Sequence, residues 1–272
     1  MISMENIFIY NRRRDSMYKY ICEKCNCEFE TKKKNQLYCS KSCANSVNAS
    51  KRKILDKSIF SNGINEETAY ILGLILSDGC LSYDIHSKRY RITISMNDYD
   101  ILEYLRSTYT PLKKLYVYKN KKGKSETYTF ITTDEYDIKF LRSVGVGERK
   151  SKYIRLPKIN DRYMRDMIRG IFDGDGSVYI NKTKGIYKSE IKVYEYVNAS
   201  FTTGSKKFAE DLLNILSENY INAHIVKDSR KKKECWYVKI YSKLDIEKFY
   251  RYLYLDTYIY LDRKRSLFGM MI

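Results

Sequence analysis

Histidine, proline and long apolar runs are scarce in this sequence. Its 272 residues include two histidines, His86 and His224, and no His-x-Glu motif. This argues against a zinc-dependent deaminase or another histidine-based hydrolase. The longest apolar run, residues 70–76, is far shorter than the roughly 20 residues needed to cross a bilayer. The basic N-terminus has no following apolar stretch, so we expect neither a signal peptide nor a membrane association.

Acidic residues are also outnumbered. The chain has 51 Lys and Arg against 33 Asp and Glu, for a formal net charge of +18, and the basic residues recur along its length. A folded protein this basic is expected to bind a polyanion, and nucleic acid is the first candidate. The 43% apolar and 14% aromatic content predicts a folded chain.

Cysteine spacing predicts a small metal module. Seven cysteines, an odd number without a secretion signal, indicate a reducing compartment and therefore an intracellular protein. Cys22-x2-Cys25 and Cys39-x3-Cys43 flank a basic loop at 32–34. Four thiolates suit tetrahedral, structural Zn²⁺, although Cys27 could replace Cys25. We expect the loop to contact a nucleic-acid backbone.

The rest of the chain reads as a tandem repeat. The order helix–hairpin–helix–hairpin–helix occurs twice, predicting an α+β fold. The second copy is longer, and we place most of its extra residues at 182–194. Cys80 and Cys235 lie in strand sequence and are expected in the core. The predicted divisions are a basic arm (1–20), a zinc module (21–48), a linker (49–64), a first repeat (65–156) and a second repeat (157–272).

Each repeat begins with a helix that carries the same pattern. Residues 71–79 read ILGLILSDG and residues 168–176 read IRGIFDGDG. Small residues four apart share one helix face, which lets two helices approach closely. The predicted interface pairs are Gly73 with Ser77 and Gly170 with Gly174. Each helix then ends in Asp-Gly, where glycine is a common helix-stop residue.

This pairing would bring Asp78 and Asp175 together at adjacent helix C-termini. The partial negative charge there disfavours a carboxylate, so the arrangement calls for a cation. Mg²⁺ or Mn²⁺ accepts carboxylate, water and phosphate oxygens, which predicts metal-assisted phosphodiester hydrolysis.

Both nonapeptides resemble the LAGLIDADG motif of homing endonucleases, and the resemblance extends over residues 66–266. It implies two pseudo-twofold αββαββα repeats whose antiparallel sheets form a saddle on double-stranded DNA. It also implies that the last acidic residue of each motif, Asp78 and Asp175, binds the catalytic divalent metal, next to Gly79 and Gly176. Double-motif members act as monomers, so no protein partner is expected. The cysteine segment is similar to zinc-ribbon-like extensions of some of these enzymes.

The motifs depart from the family pattern at two places. Leu76 replaces the earlier acidic residue of the first motif, whereas Asp173 keeps it in the second. Arg169 replaces an alanine, and we expect it to add a surface charge. Family members also use a basic residue near each metal. Lys206, Lys239 and Lys243 are candidates for that role, and each also fits an ordinary surface or DNA-contacting lysine.

Strand alternation predicts which side chains of the first hairpins face outward, where strands can enter a major groove and read base edges. The expected DNA contacts are Lys88, Arg89, Arg91, Lys182, Lys184, Lys188 and Lys192.

Two alternatives use the same scaffold. A non-cleaving DNA or RNA binder, either a transcription regulator or an intron maturase, would be favoured by loss of a motif aspartate, and both are present. An intein would need a terminal splicing nucleophile and a His-Asn end. The chain starts with Met1 and ends Gly269-Met-Met-Ile, so we expect a free-standing protein.

Overall fold

The computed structural model describes residues 17–119, 125–187, 190–229 and 234–269. Its contacts divide the chain into two compact units, one of residues 1–57 with 110–113 and the other of 58–109 with 114–272. Among the described residues, no helix is both long and apolar enough to cross a membrane.

The first unit contains a hairpin and a helix. Strands β1 (Tyr18–Ile21) and β2 (Glu28–Thr31) pair antiparallel, with Tyr18 opposite Thr31. Helix α1 (Lys41–Leu55) follows. It continues beyond residue 48, so a helix occupies part of the segment that we expected to be a linker.

The first repeat lies in the second unit. Helix α2 starts after Asn65, whose side chain accepts from the Thr68 amide while the Thr68 hydroxyl accepts from the Asn65 amide, a capping box. The elements are α2 (Glu66–Ser77), β3 (Gly79–Asp84), β4 (Arg89–Met96), α3 (Tyr99–Tyr109), β5 (Tyr116–Lys119), β6 (Glu126–Thr132) and α4 (Glu135–Ser143). The antiparallel sheet has the order β3-β4-β6-β5.

The second repeat has the same plan. Its elements are α5 (Met164–Asp175), β7 (Ser177–Tyr187), β8 (Glu190–Thr203), α6 (Lys206–Glu218), β9 (His224–Lys227), β10 (Trp236–Ile240) and α7 (Lys243–Tyr254). The sheet order, β7-β8-β10-β9, matches that of the first. A further helix, α8 (Asp262–Gly269), follows. The predicted α+β class and the two αββαββα repeats are confirmed.

The extra residues of the second repeat lengthen its first hairpin. Strands β7 and β8 have 11 and 14 residues, whereas β3 and β4 have 6 and 8. The pairing runs without interruption from Ser177↔Ser200 to Tyr187↔Glu190. In the described parts of the predicted insertion, residues 182–187 and 190–194, the two strands therefore form a long β-ribbon.

The helices cover one face of each sheet and bury the core. In the first repeat Leu72, Ile94 and Phe130 are almost inaccessible to solvent. In the second, the ring of Phe172 lies 5.2 Å from that of Phe201 and 5.0 Å from that of Phe249. Strand alternation leaves the other face of each sheet, which we call the outer face, to more polar side chains.

The two motif helices, α2 and α5, contact each other through glycines. A Cβ atom on Gly73 would clash with the carbonyl oxygen of Met167 and lie 2.8 Å from the Gly170 Cα. A Cβ atom on Gly170 would clash with the Tyr70 carbonyl oxygen and lie 3.0 Å from the Gly73 Cα. The helices therefore meet backbone to backbone.

Candidate functional site

The motif aspartates lie at the ends of these two helices. Asp78 is the C-cap of α2, and Asp175 is the last residue of α5. A Cβ atom on Gly174 would clash with the Ser77 side chain and lie 3.0 Å from Asp78 Oδ2. The structure thus places the Asp78 carboxylate over the residue that precedes Asp175.

The glycines after the aspartates serve close packing. Neither Gly79 nor Gly176 has the positive φ of a left-handed helix stop, which differs from the sequence expectation. Instead, a Cβ atom on Gly79 would lie 2.5 Å from the Ile75 Cα, and one on Gly176 would clash with Phe172. The chain turns from helix to strand so tightly at Gly79 and Gly176 that neither position has room for a side chain.

Burial and charge shift the pKa values of both carboxyl groups. Burial, reinforced by the charge of Asp175, raises the pKa of Asp78 to about 6. Burial also raises the pKa of Asp175. Both shifts report carboxylates that are costly to ionise in place, although the charges of Lys150 and Lys264 offset part of the cost.

Those two lysines are the main feature that sequence reasoning missed. Lys150 Nζ donates to the Gly79 carbonyl oxygen at 2.7 Å. Lys264 Nζ donates to the carbonyl oxygens of Phe172 and Gly174 at 2.6 and 2.9 Å. Each ammonium group therefore binds the backbone beside one motif aspartate.

The lysines occupy equivalent places in the two repeats. Lys150 begins a 3-10 turn after α4, and Lys264 lies in the first turn of α8 after α7. Both are almost inaccessible to solvent, at 7% and 6% exposure. Burial lowers the pKa of Lys150, and it lowers that of Lys264 to about 8, against the opposing charge of the nearby aspartates. No local motif marks either residue, and only their position after each repeat could have suggested them.

The three weaker lysine candidates lie elsewhere. Lys206 is the first residue of α6 and pairs with Glu210 at 3.2 Å. Lys239 lies on the outer face of the second sheet opposite Ser200, and its ammonium group lies 5.2 Å from the centre of the Tyr237 ring. Lys243 is an exposed residue at the start of α7.

Arg169 is fully buried, so the expectation of a surface charge was wrong. Its Nε donates to the Ile259 carbonyl oxygen at 2.8 Å, and its Nη2 lies 2.7 Å from Asp166 Oδ1. Its Nη1 also donates to the Leu253 carbonyl oxygen at 3.2 Å. The side chain points inward, where these hydrogen bonds connect the motif helix to the end of α7 and to the segment that follows it.

The predicted contacts of the first hairpin lie at one end of its sheet. Lys88 occupies the turn with a positive φ of 52°. Arg89 and Arg91 are opposite Asp84 and Ser82 and share the outer face, because the alternate residue Ile92 is in the core. Arg91 also pairs with Asp84 at 3.4 Å.

The predicted contacts of the second hairpin divide between its two faces. Lys182 and Lys184 follow the phase of the core residue Val178, and Lys182 pairs with the opposite Glu195 at 2.5 Å. Lys192, opposite Gly185, follows the outer-face phase. Lys188 lies outside the described residues.

The first unit brings four cysteines together. The Sγ atoms of Cys22, Cys25, Cys39 and Cys43 all lie within 4.8 Å of one another. Cys25 Sγ is 3.6 Å from that of Cys39 and 3.8 Å from that of Cys43, close to the spacing of about 3.8 Å that Zn–S bonds of about 2.3 Å require in a tetrahedron. The cluster is consistent with a zinc site, as predicted.

The remaining cysteines differ from this cluster. Cys27 Sγ donates to the Cys25 carbonyl oxygen at 3.6 Å. Cys235 is buried, as expected, but Cys80 is exposed. The expectation for Cys80 was wrong because its neighbour Leu81 takes the inward position on β3, which leaves Cys80 on the outer face.

Comparisons with known proteins agree with this architecture. Residues 67–154 match a WhiA LAGLIDADG-like domain, and residues 162–254 match a LAGLIDADG-like domain. An uncharacterized protein of Methanocaldococcus jannaschii is 28% identical over 141 residues. That match covers 51% of this chain and 49% of the relative, so the chain spans about half the length of the curated relative it matches.

The chain is also similar to solved structures. The I-LtrWI LAGLIDADG homing endonuclease bound to target DNA is 15% identical, covers 76% of this chain and 91% of its own, and has a TM-score of 0.50. The LAGLIDADG meganuclease I-AabMI bound to uncleaved DNA is 16% identical, with 76% and 88% coverage and a TM-score of 0.49. At these identities the likeness concerns the fold alone. The chain is a protein of two LAGLIDADG-like domains preceded by a four-cysteine module.

Proposed function

We propose that this protein is a site-specific, divalent-metal-dependent endonuclease for double-stranded DNA. One observation carries the proposal: two pseudo-equivalent motif helices end side by side in Asp78 and Asp175, with a buried lysine beside each. Two such half-sites match the two strands of a duplex, each of which needs its own hydrolysis.

The donor set fits a hard divalent cation. Two partly buried carboxylates with raised pKa values lie at helix C-termini, where they are costly to ionise without a cation. The neighbouring ammonium groups donate to backbone carbonyls. Asp78 and Asp175 would hold Mg²⁺ or Mn²⁺ together with oxygens of water and DNA phosphate. When bound, the metal supplies Lewis-acid stabilisation of the phosphoryl oxygens and lowers the pKa of a bound water.

The chain's own residues supply the remaining chemistry. Lys150 and Lys264 keep a positive charge beside each carboxylate, where negative charge develops as a phosphodiester is hydrolysed. Burial lowers the pKa of both lysines, and the value of about 8 for Lys264 suits proton transfer near neutral pH through ordered water. The glycine contact between α2 and α5 holds the two half-sites at a fixed separation.

The outer faces supply the DNA-binding surface. They carry Ser82, Arg91 and Thr93 on the first sheet and Tyr179, Lys192 and Lys239 on the second. Hydroxyl and basic side chains can read base edges and hold phosphates. The register predicts that Lys192→Ala weakens binding and lowers the slope of log Kd against log salt by about 1. Lys182→Ala, on the other face of the same ribbon, is the control and should change both values less.

The four-cysteine module would bind one structural Zn²⁺. All four positions of a tetrahedral site are filled by protein, which leaves none for a reactive water. Side-chain hydrogen bonds with Cys25 and the neighbouring thiols raise the pKa of Cys39 to about 12. Four thiolates therefore need a cation in order to coexist. The basic loop at 32–34 would then contact the phosphate backbone of DNA.

A second candidate is a DNA-binding regulator that does not cleave. The observation that favours it is the match of residues 67–154 to the WhiA LAGLIDADG-like domain. The second repeat matches a different LAGLIDADG-like domain family. Replacement of the earlier acidic residue by Leu76 also occurs in this first repeat.

A cleavage assay separates the two candidates. The protein is incubated with a randomised duplex library and Mg²⁺ or Mn²⁺, and cut and bound sequences are recovered separately. The endonuclease predicts one long site cut on both strands, with loss of double-strand cleavage in Asp78→Asn and in Asp175→Asn but retained binding. A protein that selects a site and cuts neither strand with either metal is the regulator.

A further inference from the structure

The acidic residue that only the second motif retains, Asp173, is buried in a network of donors. Its carboxylate accepts from the Tyr70 hydroxyl at 2.9 Å, the Tyr254 hydroxyl at 2.6 Å and the Leu261 amide at 2.8 Å. These donors come from α2, from α7 and from the residue before α8. One side chain therefore joins both motif helices to the segment that follows the second repeat.

The Leu261 contact connects Asp173 to Lys264. The Leu261 carbonyl oxygen accepts from the amides of Lys264 and Arg265 at 3.0 and 3.1 Å, so Leu261 starts helix α8. Asp173 thus fixes the first turn of the helix that carries Lys264. The Lys264 ammonium group returns to the carbonyl oxygens of Phe172 and Gly174, the residues on either side of Asp173. These contacts form a closed ring.

Among its described residues, the first repeat has no such ring. Leu76 occupies the position equivalent to Asp173. The segment carrying Lys150 is held instead from the second repeat, where the Ser205 hydroxyl donates to the Ile154 carbonyl oxygen at 2.7 Å. Lys150 and Lys264 occupy equivalent positions in the two repeats, but different residues hold the segments that carry them.

We infer that Asp173 is a positioning residue that sets the place of the Lys264 ammonium group, whereas the segment that carries Lys150 is held by other residues. This inference rests on the proposed function. It predicts that loss of the Asp173 charge impairs cleavage of one DNA strand more than the other and converts the enzyme towards a strand-specific nickase.

The test compares Asp173→Asn with Asp137→Asn. Asp137 is a matched control because it is also fully buried and accepts three hydrogen bonds, from the Ser58 hydroxyl and the amides of Ile59 and Phe60. Asp137 lies in the first repeat, and none of these three hydrogen bonds involves Lys150 or Lys264. Each strand of the target duplex is labelled separately. We expect Asp173→Asn to slow one strand by roughly ten-fold or more relative to the other, because small displacements of a reacting group cost rates of this order.

A second measurement does not depend on cleavage. Trace acetylation of the folded, metal-free protein, followed by mass spectrometry, reports the relative reactivity of Lys264 and Lys150. Asp173→Asn should raise the Lys264 to Lys150 ratio several-fold, because the ammonium group loses its fixed place, and Asp137→Asn should not. If Asp173→Asn does not fold, Tyr254→Phe removes one of the three donors and should raise the same ratio by less.

The outcomes are separable. Equal slowing of both strands, or an unchanged labelling ratio in folded Asp173→Asn, overturns the positioning role while the nuclease stands. A wild type that cuts neither strand removes the proposed function, and the labelling ratio still decides whether Asp173 positions Lys264.

Discussion

Gly73 and Gly170 lie against each other so closely that a Cβ atom on either would come within 3.0 Å of the other's Cα. Their contact joins the two motif helices backbone to backbone. It sets the separation of Asp78 and Asp175, which lie one and a half turns further along.

Enlarging either glycine is expected to destabilise the fold. Gly73→Ala and Gly170→Ala place a methyl group against backbone atoms that cannot rotate away, and overpacking of this kind costs about 1–3 kcal/mol. Urea unfolding measures the loss. Gly147→Ala is the control, since its Cβ would meet only the Tyr153 hydroxyl, at 3.7 Å. Equal effects at the three positions would contradict the backbone contact.

The charge of Asp78 is expected to make stability depend on pH. Burial and Asp175 raise its folded-state pKa to about 6 from an ordinary value of 3.8. The folded state therefore holds the Asp78 proton more tightly than the unfolded chain does. The stabilisation from the protonated carboxyl group is fully present below pH 3.8 and is lost as the pH rises through about 6. In EDTA at pH 8, Asp78→Asn should therefore be more stable than the wild type, by on the order of 1 kcal/mol after allowance for solvent screening.

Thermal unfolding between pH 4 and pH 8 measures this difference. The advantage of Asp78→Asn should shrink as the pH falls through 6 towards 4. Asp256→Asn is the control, because Asp256 is exposed and its positive φ of 50° also suits asparagine. Parallel pH profiles for the wild type and Asp78→Asn would contradict the raised pKa.

Zinc content tests the cysteine module. We expect one zinc per chain by elemental mass spectrometry, and loss of that zinc in Cys25→Ser and Cys39→Ser, because each removes one of four thiolates. Cys27→Ser is the control within the same loop, since Cys27 contacts the Cys25 carbonyl oxygen and lies outside the cluster. Retained zinc in Cys25→Ser with loss in Cys27→Ser would show that Cys27 is the ligand.

Patterns that repeat along the chain could be predicted, whereas contacts made by its connecting segments could not. The two nonapeptides share spacing and place within each repeat, so the meeting of Asp78 with Asp175 follows from helix geometry alone. Lys150 and Lys264 reach the site only because the segments after α4 and α7 fold back over the motif helices. Their neighbouring sequence is an ordinary basic stretch, indistinguishable from a solvated surface.

The register of the long ribbon shows the same limit. Alternation predicted that its lysines face outward, and both faces of a projecting ribbon are exposed. Only the pairing of Val178 with Ala199 shows that Lys182 follows the core phase and Lys192 the outer one. The phase depends on strand pairing, which a single strand's sequence does not specify.

Arg169 was expected on the surface from its motif position, but it is fully buried. Its substitution is therefore expected to destabilise the fold. Arg169→Ala restores the residue of the motif consensus but leaves Asp166 buried, at 2% exposure, without its cation. Breaking one partner of a buried ion pair costs about 3–5 kcal/mol. Arg251→Ala, an exposed arginine on α7, should change the free energy of unfolding by less than about 0.5 kcal/mol.

The double variant Asp166→Leu with Arg169→Met separates charge from packing. It removes both charges and fills the space with apolar side chains, so it should recover much of the stability that Arg169→Ala loses. If the double variant is as unstable as Arg169→Ala, the essential contribution of Arg169 lies in its hydrogen bonds to Ile259 and Leu253. The segment after α7 would then depend on them, and Lys264, which follows that segment, would become more reactive towards acetylation in both variants.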